Sequence, residues 1–206
     1  MPKTPQRRIT GMSITDAGCT DAGWTGVVLA GGRSSRMGRD KALLPWQGQP
    51  LLQHMQSLLQ QAGATRVVIS GDYPGFDAIP DQTSELGPLG GIASIASALP
   101  DGVLLLVPVD MPLLTPPLLA SLVAVEGRCV CHRGHILPLR LHLDDHTRAW
   151  LQHATQLPQR ERSVRAMHAA LGGIHATLPT DGERQLVNCN TPDEWAGLAG
   201  EGAGRG

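Results

Sequence analysis

Aromatic side chains are scarce in this chain: four tryptophans, one tyrosine and one phenylalanine among 206 residues. Its core must therefore be packed by Leu, Val, Ile and Ala. Strong charge is missing too, because 17 Lys and Arg stand against 18 Asp and Glu for a net charge of -1. That balance argues against a broad nucleic-acid or membrane-binding surface. No window approaches the length of a membrane span, and no apolar segment follows Arg7-Arg8 to make it an export signal. The four cysteines, Cys19, Cys129, Cys131 and Cys189, lack disulfide-framework spacing, so the expected setting is the reducing cytoplasm.

With 41% apolar and 17% charged residues, the composition is that of a globular protein long enough to bury a core without disulfides. Residues 1–23 are polar and aperiodic and are expected to form a flexible extension. From residue 24 to 206 a single domain is expected. Gly26 to Ala30 reads as a buried strand. Leu51, Leu52, Met55, Leu58, Leu59 and Ala62 recur at helical spacing, and Gly63 ends that helix. Arg66 to Ser70 is a second strand and Asp77 to Pro80 a short third. GPLGGIASIASALP predicts a helix entered through glycines, followed by the most apolar strand, Val103 to Val109. Thr115 before Pro116 reads as an N-cap followed by proline at the first helical position.

Further on, Cys129 to His132 and Ile136 to Leu143 predict two strands about an Arg-Gly turn. Helices are expected over Thr147 to Ala154 and Ser163 to Leu171, and short strands over Ile174 to Leu178 and Leu186 to Asn188. Thr191-Pro192-Asp193-Glu194 has the spacing of a capping box and predicts a last helix. Strands alternating with helices make an α/β fold with a mainly parallel sheet.

In such sheets ligands sit at the carboxyl ends of strands, where strand order reverses. Two strands end in chemically loaded residues. The first runs into Gly31-Gly32, where backbone N–H groups can approach phosphate oxygens, with Arg36 and Lys41 adding positive charge. The other ends at Asp110, a carboxylate suited to Mg2+, which binds few protein carboxylates and completes its shell on substrate phosphates. Gly38 is followed by Arg39-Asp40-Lys41, which is not a Walker A loop, and G-x-G-x-x-G is absent. The residues alone thus point to a nucleotide or phosphate site of unspecified chemistry.

Asn188 and Asn190 alternate before the last helix and serve equally as turn residues or as polar groups closing the site. Cys129, Cys131, His132 and His135 do not fit the usual zinc spacings, so the two cysteines read as small buried hydrophobes. The remaining histidines, among them His54, His168 and His175, read as surface or core-edge residues.

LAGGRSSRMGRDK (Leu29 to Lys41) resembles the signature loop of the molybdenum cofactor guanylyltransferases. GPLGGI (Gly87 to Ile92), VPVDMP (Val107 to Pro112) and VNCNTPDEW (Val187 to Trp195) resemble three further blocks of that family, in the expected order. The resemblance spans Thr25 to Trp195. It implies a Rossmann-like three-layer nucleotidyltransferase fold and transfer of GMP from Mg-GTP to molybdenum-bound molybdopterin, releasing pyrophosphate.

By that resemblance the Leu29-Ala30-Gly31 backbone, with Gly32, would hold the guanine nucleotide, and Arg36 and Lys41 would hold its phosphates. Asp81 would contact GTP. Ser70, where some members carry Asn, stands at a base or ribose contact. Asp110 would bind Mg2+, or Mn2+ in its place, and Asn188 and Asn190 would face the reacting end or the pterin. Arg36, Lys41 and Asp110 are the expected catalytic groups. Leu137-Pro138-Leu139 departs from the polar residue expected before Pro-Leu.

The rival readings are a molybdopterin cytidylyltransferase, a sugar-1-phosphate nucleotidyltransferase, and a non-catalytic nucleotide-binding or cofactor-delivery module. Ala30-Gly31-Gly32 and Ser34-Ser35-Arg36 favour the guanylyl enzyme over the first two. Lys41 together with Asp110 favours catalysis over binding alone. The chain is expected to act as a monomer that meets molybdenum-insertion and acceptor-enzyme proteins, with no nucleic acid or membrane partner.

Overall fold

A computed structural model describes residues 23–31, 40–82, 86–189 and 194. Residues 1–22 of the expected N-terminal extension, Gly32, Arg36, Asn190 and residues 191–193 of the expected last helix lie outside the described residues.

The strand β1 (Thr25–Leu29) lies at the centre, parallel to β4 (Arg66–Ser70) on one side and β6 (Gly102–Pro108) on the other. Beyond β4 lies β5 (Ala78–Ile79), also parallel. On the far side β6 pairs antiparallel with β8 (Leu139–Leu143), which pairs antiparallel with β7 (Cys129–His132); β9 (Ile174–Ala176) closes that edge parallel to β7. The seven-stranded order is β5-β4-β1-β6-β8-β7-β9, so strand order reverses between β1 and β6. A separate hairpin, β2 (Pro45–Trp46) with β3 (Gln49–Pro50), leads into the first helix.

Alternation along β1 explains the layering. Val28 points to a core shared with α1 (Leu51–Gln61) and α3 (Pro116–Val123), while Val27 and Leu29 point to a second core. That second core is closed by α2 (Pro88–Ala98), α4 (Asp145–Ala154) and α5 (Val164–Ala170). Helices thus cover both faces of a mostly parallel sheet, the three-layer α/β arrangement the sequence implies. The sheet is filled by Leu, Val and Ile, with Leu105, Leu106 and Val107 on β6 wholly buried.

Four expectations need correction. The second hairpin strand begins at Leu139, because Pro138 brings no N–H to a ladder. Leu186 to Asn188 is not a strand; it follows a short helix, α6 (Gly182–Gln185). The strand expected over Ile174 to Leu178 stops at Ala176.

The fourth concerns Thr115, which occupies the cap position of α3 without capping it. Pro117 removes one of the two N–H groups a cap hydroxyl accepts from, and the hydroxyl does not take up the other, on Leu118. The hydroxyl instead donates to Gln185 Oε1 at 2.6 Å, joining α3 to α6.

Candidate active site

The end of β1 is held from both sides. Ala30 and Gly31 donate their N–H groups to the Ser70 carbonyl at 3.2 and 2.9 Å, and Val109 donates to the Leu29 carbonyl at 3.2 Å. The strand ends of β4, β1 and β6 therefore stop together, at the point where strand order reverses.

Asp40 immediately precedes Lys41. Its carboxylate caps the short turn Lys41–Leu43 by accepting the Ala42 N–H at 3.0 Å. The same oxygen accepts the Tyr73 hydroxyl at 3.2 Å, and that hydroxyl also lies 3.2 Å from the Ala30 carbonyl oxygen. Burial and the Asp40 charge push the Tyr73 phenol well above its ordinary range, so it stays a neutral donor. This network aims Lys41 inward. Its Nζ donates to the Cys189 carbonyl at 3.4 Å and lies 3.9 Å from Asp110 Oδ2.

Asp110 stands just beyond β6. Burial raises its pKa, and the charge of Lys41 opposes the rise. Its own carbonyl accepts the Cys189 N–H at 2.8 Å, which fixes the chain after α6 against the strand end. The Cys189 thiol is pushed up to about 11, by burial first and then by the Asp110 charge, so it is protonated near neutral pH and does not act as a nucleophile.

These groups border a cavity of about 240 Å3, lined by Leu29, Ala30, Gly31, Lys41 and Asp110 among others. A second cavity of about 370 Å3 includes His135, Arg165, Leu186 and Asn188. Both share Pro88, Pro108, Leu137 and Asp110, so Asp110 stands where the two meet.

Under the floor of the first cavity, Ser70 Oγ donates to Asp81 Oδ1 at 3.0 Å. Two glycines make that pair possible. A Cβ on Gly31 would sit 2.6 Å from Asp81 Oδ2, and one on Gly91 would sit 2.4 Å from Ser70 Oγ. Gly87 adopts φ 60°, a left-handed conformation that favours glycine, and so turns the chain into α2 with Pro88 at its first position.

Of the residues singled out from sequence, Leu29, Ala30, Gly31, Lys41 and Asp110 share one cavity wall, and Asn188 meets Asp110 across the second cavity. Ser70 and Asp81 pair with each other. Sequence reasoning missed Tyr73, His135, Arg165 and the Cys189 backbone. Tyr73 and Arg165 carry no local motif, and a backbone carbonyl leaves no residue signature. His135 was weighed only as a metal ligand; its Nε2 instead lies 2.9 Å from Glu183 Oε2.

The donor set of Asp110 suits Mg2+ or Mn2+. It is a hard oxygen donor, 23% exposed in its side chain and open to both cavities. An octahedral ion that takes few protein carboxylates and keeps positions for phosphate oxygens and water fits there.

The MobA-like NTP transferase domain matches residues 26–177. The molybdenum cofactor guanylyltransferase of Xanthomonas euvesicatoria pv. vesicatoria is 50% identical over 180 residues, covering 86% of this chain and 95% of that protein. The one from Pseudomonas fluorescens is 33% identical over 186 residues, covering 81% and 88%. Among solved structures, molybdopterin-guanine dinucleotide biosynthesis protein A of Archaeoglobus fulgidus superposes with a TM-score of 0.69 at 17% identity, over 87% of this chain and 98% of that one. The 2-C-methyl-D-erythritol 4-phosphate cytidylyltransferase of Thermus thermophilus gives 0.62 at 16%, over 86% and 98%. At those identities the likeness is one of fold.

Proposed function

The chain belongs to the molybdenum cofactor guanylyltransferases, a family of nucleotidyltransferases, and from that premise we propose that it transfers GMP from GTP to molybdenum-bound molybdopterin. The products are the guanine dinucleotide cofactor and pyrophosphate. The observation that carries this reading is the placement of Asp110 between two cavities, one bordered by Lys41 and the β1 backbone, the other by Arg165 and Asn188.

In this reading the first cavity takes GTP. The Leu29-Ala30-Gly31 backbone and the Ser70–Asp81 pair address the nucleoside end, with Gly32 continuing that backbone. Lys41 and Arg36 face the phosphates. The second cavity takes the pterin substrate, with Asn188 and Asn190 at its reacting end. A phosphate oxygen of the pterin attacks the α-phosphorus of GTP, and the bond from that phosphorus to the β-phosphate bridging oxygen breaks. Pyrophosphate leaves with the bonding electron pair. The attacking oxygen is already anionic, so the protein need supply neither nucleophile nor strong base; it positions the reactants and neutralises charge.

Lys41 exchanges its hold on the Cys189 carbonyl for the leaving phosphates, where its charge stabilises the transition state. Asp110 would hold Mg2+, or Mn2+, which when bound supplies Lewis-acid neutralisation of phosphate charge. The described cysteines are free buried thiols, in keeping with action in a reducing cytoplasm. We further propose a monomeric enzyme, a single domain over 24–206 with residues 1–23 outside it. It receives the pterin from molybdenum-insertion proteins and passes product to acceptor enzymes.

Pyrophosphate release with GTP, CTP and ATP in turn, each with Mg2+ and molybdenum-loaded molybdopterin, tests the reading. Release with GTP alone is expected. Release with CTP alone would transfer the chain to cytidylyl chemistry, and GTP binding without release would reduce it to a binding module.

A further inference from the structure

Away from the two cavities, three side chains from three elements converge. Cys131 on β7 is the ladder partner of His175 on β9, so their side chains emerge side by side, and α5 brings His168 down on them. Cys131 Sγ lies 3.4 Å from His168 Nε2 and 3.4 Å from His175 Nδ1. One ligand atom from each of the three lies within 4.8 Å of the others. His168 is seated closely, for a Cβ on Gly173 would come within 2.2 Å of its ring. Strand alternation puts the neighbouring His132 on the other face, so the C-x-C-H run does not form the group. Its true members are 44 residues apart in sequence at the extreme.

We propose that Cys131, His168 and His175 form a zinc-class metal site, separate from the catalytic centre, that staples α5 and β9 to β7. One thiolate and two imidazoles make a borderline-soft set suited to Zn2+ rather than Mg2+. A tetrahedral ion with the usual Zn–S and Zn–N bond lengths spaces sulfur and nitrogen by about 3.5 Å, so the two sulfur–nitrogen spacings already present need little change. Water completes the coordination, and the metal bond replaces the contact of His168 Nε2 with the Ile174 carbonyl. The elements held are small: β9 has three residues at the sheet edge and α5 has seven. A metal that joins short elements adds its binding free energy to their folding. Three residues before His168 on the same helix, Arg165 lines the second cavity, so the staple also fixes one wall of that cavity.

The test uses the full chain without an affinity tag, stripped with a chelator and titrated with Zn2+ against a competing weak chelator, and separately with Co2+. One tightly held zinc per chain is expected. So are a near-ultraviolet thiolate-to-cobalt charge-transfer band and a zinc-dependent rise in the unfolding midpoint. Cys131 and His168 are buried and their replacement could prevent folding, so exposed His175 carries the decisive variant. His175→Gln should leave the midpoint of the stripped protein unchanged, weaken zinc by at least about tenfold and abolish the zinc-dependent rise. Cobalt binding without the thiolate band, substoichiometric zinc, or unchanged affinity in His175→Gln would overturn the site.

Discussion

Lys41 Nζ lies 3.9 Å from Asp110 Oδ2 and holds the Cys189 carbonyl at 3.4 Å, so one ammonium reaches both the strand end and the chain that returns beside it. If the cavity takes GTP as proposed, this position lets Lys41 meet phosphate charge without a long movement. Lys41→Met should lower kcat for pyrophosphate release by about 100-fold, the usual effect of losing one transition-state donor, with a smaller change in KM for GTP. Near-normal turnover in steady-state assays would remove Lys41 from the chemistry.

The Ser70–Asp81 pair beneath the cavity that Lys41 borders depends on the absence of a side chain. A Cβ on Gly91 would meet Ser70 Oγ at 2.4 Å, and behind it Asp81 Oδ1 at 3.2 Å. Gly91→Ala should cost about 1–3 kcal/mol of stability by overpacking and raise KM for GTP. Adding Ser70→Ala removes the obstructing oxygen, because Ser70 Cβ lies 3.6 Å from the new methyl position. The double variant should therefore recover most of the lost melting temperature. Equal destabilisation in single and double variants would show that the clash lies elsewhere.

Stability in acid is expected to depend on Asp144, which caps α4 by accepting the Thr147 N–H at 2.9 Å and pairs with Arg128. Burial resists its ionisation, but Thr147 and Arg128 outweigh burial and hold its pKa at about 2 against an ordinary 3.8. A depressed carboxylate stabilises the fold fully above the unfolded pKa. That contribution is lost as pH falls through about 2. Asp144→Ala should lower stability by about 1–2 kcal/mol at neutral pH, as loss of a helix cap does, and leave turnover unchanged. The stability gap from the parent, followed by denaturant titration, should shrink on acidification.

The chain behind Asn188 is tied by Thr115, whose hydroxyl donates to Gln185 on α6. Gln185→Ala removes that tie while leaving every cavity-lining side chain in place. A hydrogen bond of ordinary strength predicts a rise of about 2- to 10-fold in KM for the pterin substrate, with KM for GTP nearly constant. A proportional rise in both would mean that the segment after α6 serves the site as a whole.

The cavity that Lys41 borders was legible because its groups lie at or near strand ends. Buried runs such as Val103 to Val109 reveal their strand by apolar continuity, and Asp110 is conspicuous by interrupting one. Gly31 and Lys41 sit in a quotable loop. The second cavity was not legible in the same way. His135 and Arg165 reach the second cavity from a turn and a helix 30 residues apart, and only the β7-β8 hairpin and the placement of α5 unite them. Thr115 misled because a threonine before a helix looks like a cap, whereas Pro117 removes one of the donors it would accept from and its hydroxyl is turned to Gln185, 70 residues away in sequence. Cys131 was read correctly as a buried residue, and its nearness to His168 and His175 left no local signal because those residues lie 37 and 44 positions away.

Arg165 gives the sharpest separation of the two substrates. It lines the cavity on the far side of Asp110 and is absent from the lining of the cavity that Lys41 borders. A guanidinium suits a phosphate through paired N–H donors, which an ammonium cannot reproduce. If the second cavity takes the phosphate-bearing pterin, Arg165→Gln should raise KM for that substrate by about tenfold or more, the effect of losing one charge-assisted hydrogen bond, and leave KM for GTP unchanged. Arg165→Lys should recover only part of the loss. A variant whose KM rises for GTP instead would exchange the two cavities, and with them the direction in which the α-phosphate is approached.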